Sequence, residues 1–232
     1  MALRFLLYYI TDRTALAADE PTRRHRLLEK IAEAARAGVD YIQLREKDLP
    51  TRELESLARE AVRVTQAARK LSPDPKSPAP ALLINSRTDV AIAAAADGVH
   101  LRSEDIRPRE VQQIWRARGA RAHSRERLPR APSIGVSCHS PEDVAQAASA
   151  GATFAVFAPV FEKKHVPGAK PTGLAQLREA CKASLPVLAL GGVTLENAKS
   201  CLDVGAAGIA GIRLFQENDL ASTVERLRRL AR

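Results

Sequence analysis

Five consecutive residues, Gln43-Leu44-Arg45-Glu46-Lys47, close a short apolar run. If that run is a strand, alternation puts Gln43, Arg45 and Lys47 on one face and Leu44 and Glu46 on the other. An amide and two cations on one face form an anion site. The same spacing also serves a surface salt-bridge ladder, but the unbroken strand context favours the anion site. The other residues with chemical capacity also stand at the ends of β-rich runs. Asn85 offers an amide to a ligand, or a cap to a helix starting near Thr88. Arg102, Glu104 and Asp105 follow Leu101. Here one carboxylate is a candidate for a hard ion such as Mg2+, or the two acids charge the start of the next helix. Ser137 and His139 precede Ser140-Pro141-Glu142-Asp143, which orders a cap, a first-turn proline and two acids as a helix start requires. His139 is a candidate general acid/base, with Ser137 set to orient its ring or a substrate group. Lys163 and Lys164 lie in a basic, Gly- and Pro-containing segment suited to a lid. Gly191-Gly192 follow the seventh β-rich run, and Gly211 to Arg213 close the eighth. Glycine frees backbone N–H groups for a phosphate, and Arg213 adds a charge-assisted hydrogen bond.

These residues need elements to hold them. Eight β-rich runs occur, at Leu6–Thr11, Val39–Leu44, Ala81–Asn85, Gly98–Leu101, Ile134–Cys138, Phe154–Val160, Pro186–Leu190 and Gly208–Arg213. Helical patterns follow each, near 23–37, 51–69, 88–96, 108–119, 141–150, 173–183, 195–204 and 221–231. Thr51 is expected to cap the second of them, and Gly38, Gly151 and Gly205 to stop three others in the left-handed conformation. Strict alternation predicts a parallel sheet covered by helices, and eight units predict a closed (β/α)8 TIM barrel as a single α/β domain over residues 1–232. In such a barrel the strand C-termini carry the active site, where all the candidates above fall. Residues 71–80, with prolines at 73, 75, 78 and 80, and residues 120–132 interrupt the rhythm at helix-to-strand joints, and read as surface excursions on the opposite face.

Composition narrows the function. The chain has 232 residues, 45% hydrophobic and 27% charged, which suits a folded core and excludes a largely disordered chain. No apolar run reaches the ~18 residues of a membrane span. The opening MALRFLLYYITD reads as a first strand rather than a signal peptide. Three scattered cysteines argue against a disulfide framework or zinc site and for a reducing, cytoplasmic setting. The net charge of +9 fits either nucleic acid or phosphorylated small molecules as partners. With aromatics at 4% the stacking platforms for bases are missing, so small phosphorylated substrates are expected, with no nucleic acid and no membrane. The arginines between 116 and 130 read as a solvated basic loop. A homo-oligomer is left open.

Together the motifs YITD (9–12), GVDYIQLREKD (38–48), LLINSRTDVAI (82–92), ADGVHLRSED (96–105), IGVSCHSPEDV (134–144) and PVLALGGVTLENA (186–198) make the chain resemble the thiamine phosphate synthase/TenI family over nearly its full length. The resemblance implies two alternative chemistries. The synthase couples a pyrimidine diphosphate to a thiazole phosphate with Mg2+ and releases pyrophosphate. The TenI-type enzyme is a thiazole tautomerase that moves a proton without a cofactor. By resemblance, Gln43, Arg45 and Lys47 match the diphosphate-binding strand end, Asn85 a pyrimidine or diphosphate contact, Ser137 a hydroxyl near the diphosphate, Gly192 the thiazole phosphate glycine and Asp105 one Mg2+ carboxylate. Departures stand beside these. The synthase pattern NDR reads Asn85-Ser86-Arg87 here, which removes a second Mg2+ carboxylate, and HLGQED reads HLRSED. A PTxTK loop is replaced by Glu162-Lys163-Lys164-His165, and a strand-eight serine by Arg213. These departures favour the tautomerase, with His139 as its acid/base. The synthase is the alternative, and a non-catalytic binding barrel the third reading.

Overall fold

The computed structural model describes residues 5–70, 80–121, 131–162 and 170–230. Lys163, Lys164 and most of both excursions lie outside them. Eight parallel strands form a closed barrel in chain order: β1 (Leu6–Ile10), β2 (Tyr41–Leu44), β3 (Ala81–Asn85), β4 (Gly98–Leu101), β5 (Ser133–Cys138), β6 (Phe154–Phe157), β7 (Val187–Ala189) and β8 (Gly208–Gly211). β1 pairs with both β2 and β8, which closes the ring. The helices around it are α1 (Glu20–Ala37), α2 (Thr51–Lys70), α3 (Thr88–Ala93), α4 (Pro108–Arg121), α5 (Pro141–Ser149), α6 (Gly173–Ala180), α7 (Ala198–Asp203), α8 (Arg213–Gln216) and α9 (Leu220–Leu230).

Alternation along each strand divides the core in two. Outward residues such as Leu7, Tyr9, Ile42, Leu44, Leu82 and Ile84 meet the buried stripes of the helices, for example Leu54, Leu57, Ala58 and Ala61 of α2. Inward residues Tyr8, Ile10, Leu83, Phe154, Val156, Leu188 and Ala210 fill the barrel itself. Tyr8 stands edge-on to Phe154 and to Tyr41, with ring centroids 5.3 and 5.8 Å away. Gly135 makes that filling feasible: a Cβ there would lie 2.7 Å from the Phe154 ring and 2.8 Å from His100 Nδ1.

Local signals explain most boundaries. Asp19 caps α1 by accepting from Thr22 N–H, and Ser140 with Asp143 forms a reciprocal capping box on α5. Gly38, Gly151 and Gly205 take positive φ, as expected of helix stops. Four expectations need correction. Arg116, Arg118 and Arg121 lie in α4 rather than in a loop, and the rest of that basic stretch lies outside the described residues. Thr51 is the first residue of α2, and its hydroxyl accepts from Arg87 instead of capping. β6 ends at Phe157, just before Pro159, which has no N–H for the ladder. β8 ends at Gly211, and Arg213 opens the short helix α8, too brief to leave a periodic signal. No described helix is long and apolar enough to cross a membrane, and all three cysteines are free thiols.

Candidate active site

The C-terminal ends of the strands surround a cavity of about 890 Å³. Its wall divides into a cationic arc from β2 to β4, a central histidine pair and a glycine-rich arc after β7 and β8. Every described candidate except Asp105 lines it: Gln43, Arg45, Lys47, Asn85, Arg102, Ser137, His139, Gly191, Gly192, Gly211 and Arg213.

In the cationic arc, buried Gln43 donates through Nε2 to Asn85 Oδ1 at 2.9 Å, and Asn85 Nδ2 donates to Ser86 Oγ at 3.2 Å. Ser86 has φ +60, and Arg87 N–H bonds back to Asn85 O at 2.7 Å. That is a tight three-residue turn of the strained kind that gathers at functional sites. Arg87 leaves the site and pairs with Asp89. Arg102 Nε donates to Ser86 Oγ at 3.0 Å, while its N–H and Nη2 reach the Asp105 carboxylate at 2.7 and 3.4 Å. Arg45 beside it, partial burial and Arg102 hold the Lys47 ammonium below its usual range, the mark of cations crowded around a space for an anion.

Glu46, of opposite parity, turns away from the cavity. Its buried carboxylate accepts from Thr11 Oγ1, from Arg13 N–H at 3.1 Å and from Arg13 Nη1 at 3.2 Å. Burial raises its carboxyl above the ordinary range, and the Thr11 and Arg13 bonds oppose that rise. Thr11 Oγ1 in turn accepts from Arg45 N–H at 3.0 Å. The acid inside the motif is therefore a brace that holds its two cations in place.

The two histidines have separate settings. His100 sits inside the barrel, with Nδ1 3.2 Å from Tyr8 OH and Nε2 2.8 Å from Ser137 Oγ. Burial and nearby Arg45 lower its pKa to about 4, so the ring is neutral near pH 7. His100 stands at the end of β4 with the parity of Arg102, which marks it as inward-facing, but its sequence context assigns it no role. Ser137 is therefore partnered by His100 rather than orienting His139. His139 Nδ1 lies 2.7 Å from Ala158 O. A carbonyl only accepts, so Nδ1 is the donor, and in the neutral form of the ring Nε2 carries the lone pair. Asp143 Oδ2 accepts from His139 N–H at 2.8 Å and fixes the backbone at the start of α5.

On the glycine-rich side, Gly191 and Gly192 have φ +94 and +66. A Cβ on Gly192 would come within 2.5 Å of Glu162 O and 2.7 Å of Phe161 Cβ, so the turn admits no side chain. Asn197 holds it, donating to Gly192 O at 3.0 Å and accepting from Thr194 N–H at 2.8 Å. Arg213 stands exposed at the rim. In α8, Gln216 accepts from Tyr9 OH at 3.0 Å and donates to Asp12 O at 2.7 Å, tying this arc to the loop after β1.

Mg2+ requires a near-octahedral oxygen set that usually includes one or two carboxylates. Here position 86 supplies a hydroxyl already engaged by Asn85 and Arg102, and both Asp105 oxygens face the Arg102 guanidinium or N–H. Among the described residues no three His, Cys, Asp or Glu side chains gather as a metal cluster. Glu104 also lines the cavity but is exposed, so the pair of uncommitted carboxylates that would hold the ion is lacking and the donor set does not fit it.

The fold is a (β/α)8 barrel, with cations and a glycine-rich turn gathered at the C-terminal ends of its strands. The chain matches the family model described as thiamine monophosphate synthase over residues 7–215, and it belongs to that family. It is 36% identical to the thiamine-phosphate synthase of Roseiflexus castenholzii over 211 residues, covering 90% of this chain and 80% of that one. It is 35% identical to the thiamine-phosphate synthase of Clostridium novyi over 223 residues, 94% of each chain. Among solved structures, thiamine phosphate pyrophosphorylase from Pyrococcus furiosus superposes with a TM-score of 0.74 at 28% identity, covering 99% of this chain and 96% of that one.

Proposed function

We propose that the chain is a thiamine-phosphate synthase, joining a pyrimidine diphosphate to a thiazole phosphate with release of pyrophosphate. The observation that carries this is the presence of two anion ends in one cavity, a cationic arc from β2 to β4 and a glycine-rich arc after β7 and β8. A coupling reaction between a diphosphate and a monophosphate needs both. Names and identity of the relatives support the same reading. In it, Arg45, Lys47 and Arg102 neutralise the charge that grows on the departing pyrophosphate, a site where preorganised donors are worth most. Gln43 and Asn85 orient the pyrimidine partner, Ser137 contacts it from the His100 side, and Gly191, Gly192, Gly211 and Arg213 hold the thiazole phosphate. Incubation of both substrates, followed by product analysis, tests the assignment: thiamine phosphate and pyrophosphate are expected in equal amounts.

The tautomerase is the second reading, favoured by one observation: His139 Nε2 is left with a free lone pair in a ring whose other nitrogen is fixed by Ala158 O. A proton shift on the thiazole phosphate needs that group and only one anion end. Conversion of the thiazole phosphate tautomer by the chain alone, with no coupling product when the pyrimidine diphosphate is added, would select it.

A further inference from the structure

The cationic arc departs from what its family implies, and the departure is built from several contacts. The place of a second carboxylate is taken by Ser86, and a cation stands where the pattern has glycine, at Arg102. The two changes meet physically. The Arg102 guanidinium spans the gap between Ser86 Oγ, at 3.0 Å, and Asp105 Oδ1, at 3.4 Å. Its backbone N–H fixes the other Asp105 oxygen at 2.7 Å. Ser86 is locked in turn by Asn85 Nδ2 and by the bond of its own N–H to His100 O at 2.8 Å. The Arg102 side chain keeps 48% of its surface exposed, so Nη donors remain open to the cavity. Arg45 and Lys47 stand close enough, with Arg102, to depress the Lys47 ammonium. A guanidinium is planar, permanently charged and matched to phosphate oxygens by paired N–H donors.

We infer that Arg102, bridging Ser86 and Asp105, takes the role of the divalent ion, so that this chain grips the diphosphate of its substrate with side-chain cations alone. The inference rests on the synthase reading for the identity of the diphosphate. Arg102, Arg45 and Lys47 supply the positive charge and the hydrogen-bond donors that a metal would share between the two phosphoryl groups. Asp105 keeps the guanidinium pointed at them.

Titration calorimetry with inorganic pyrophosphate tests this on the full chain. Binding in EDTA is expected to differ less than about threefold from binding in excess Mg2+, and Arg102→Gly is expected to weaken the EDTA value about tenfold or more, as for loss of a charge-assisted bond. The double variant Ser86→Asp, Arg102→Gly restores the carboxylate pair, and its pyrophosphate binding is expected to become Mg2+-dependent; Asp tolerates the positive φ at that position. Binding by the wild type only when Mg2+ is present, binding in neither buffer, or an Arg102→Gly variant that binds as well as wild type would each overturn the proposal. Failure of the synthase reading looks different: metal-free pyrophosphate binding that depends on Arg102, with no coupling product from the two substrates in either buffer.

Discussion

Arg13→Met tests whether the buried brace behind the cationic arc holds the site together. Arg13 and Glu46 pair with side chains only 3% and 1% exposed, whereas the other Arg13 partners, Glu20 and Asp48, are 45% and 57% exposed. The exposed pairs contribute at most about 1 kcal/mol each. Removing one partner of a buried pair costs ~3–5 kcal/mol, because an uncompensated charge is left behind. Methionine keeps apolar bulk in the Arg13 pocket, and Glu46 retains its bonds from Thr11 and from the backbone of residue 13, which places the loss near the lower limit, about 3 kcal/mol. For a chain of this size that lowers Tm by about 6–12 °C. The pH dependence gives the mechanism away. Burial already raises the Glu46 carboxyl above its ordinary 4.5, and losing Arg13 raises it further. A raised folded-state pKa means stability that is fully present below the unfolded value and lost as pH rises through the folded one. The deficit of Arg13→Met should therefore be small near pH ~5 and large near pH ~8. Urea unfolding at both pH values measures it, and adding Glu46→Gln should recover most of the loss at pH ~8. A deficit below about 1 kcal/mol at the higher pH, or one that grows as pH falls, would refute the brace.

Three further outcomes follow from the geometry. His100 has a folded-state pKa lowered from 6.5 to about 4, so the unfolded chain binds more protons in that window and stability falls as pH drops through it, by about 3 kcal/mol in all; His100→Asn should flatten that slope in urea melts, and an unchanged slope would assign it to other groups. Gly192→Ala forces a Cβ to within 2.5 Å of Glu162 O at φ +66 and should cost about 1–3 kcal/mol while weakening inorganic phosphate binding about tenfold; calorimetry showing wild-type affinity would remove that turn from the phosphate site. If the chain turns over the thiazole tautomer, His139→Gln should lower kcat by roughly 10²–10⁴-fold with little change in KM, and a wild-type rate would leave His139 as a helix-start residue only.

Strand parity accounts for what was legible before the structure. Inward alternation places Gln43, Arg45 and Lys47 together at one strand end, and glycines at the last two strand ends put the second arc in the same cavity. What stayed hidden depended on register or on very short elements. The Ser137–His100 contact exists because His100 lies opposite Asn85 on one side and Gly135 on the other, with no side chain at Gly135 to block the ring. Nothing local in the sequence specifies that register. The four residues of α8 cannot display a helical period, so Arg213 reads as the end of a strand. The positive φ of Ser86 is likewise invisible, since serine has no strong preference for it. Glu46 did leave a signal: an acid of the apolar, outward parity must find a buried partner. Its identity, Arg13, lies 33 residues away across a strand pair.

The motifs at the strand ends thus divide by parity into residues that face the cavity and residues that fasten it. The fasteners converge on the loop after β1. Thr11 receives Arg45 N–H and donates to Glu46, which sets the cationic arc. One residue on, the backbone of Asp12 is gripped at both N–H and C=O by Gln216 of α8, at 3.2 and 2.7 Å, which sets one end of the glycine-rich arc. The two arcs are therefore referenced to the same short loop, and their separation is set by hydrogen bonds from the buried side chains of Thr11 and Gln216 to backbone groups. The proposed coupling of a diphosphate ester with a phosphate-bearing nucleophile would depend on that separation, since reacting atoms held near contact supply much of the rate through lost translational freedom. Changes to Arg102 or Gly192 should then add independently in binding, whereas a change at Thr11 or Gln216 should act on coupling of the two substrates more than on affinity for either.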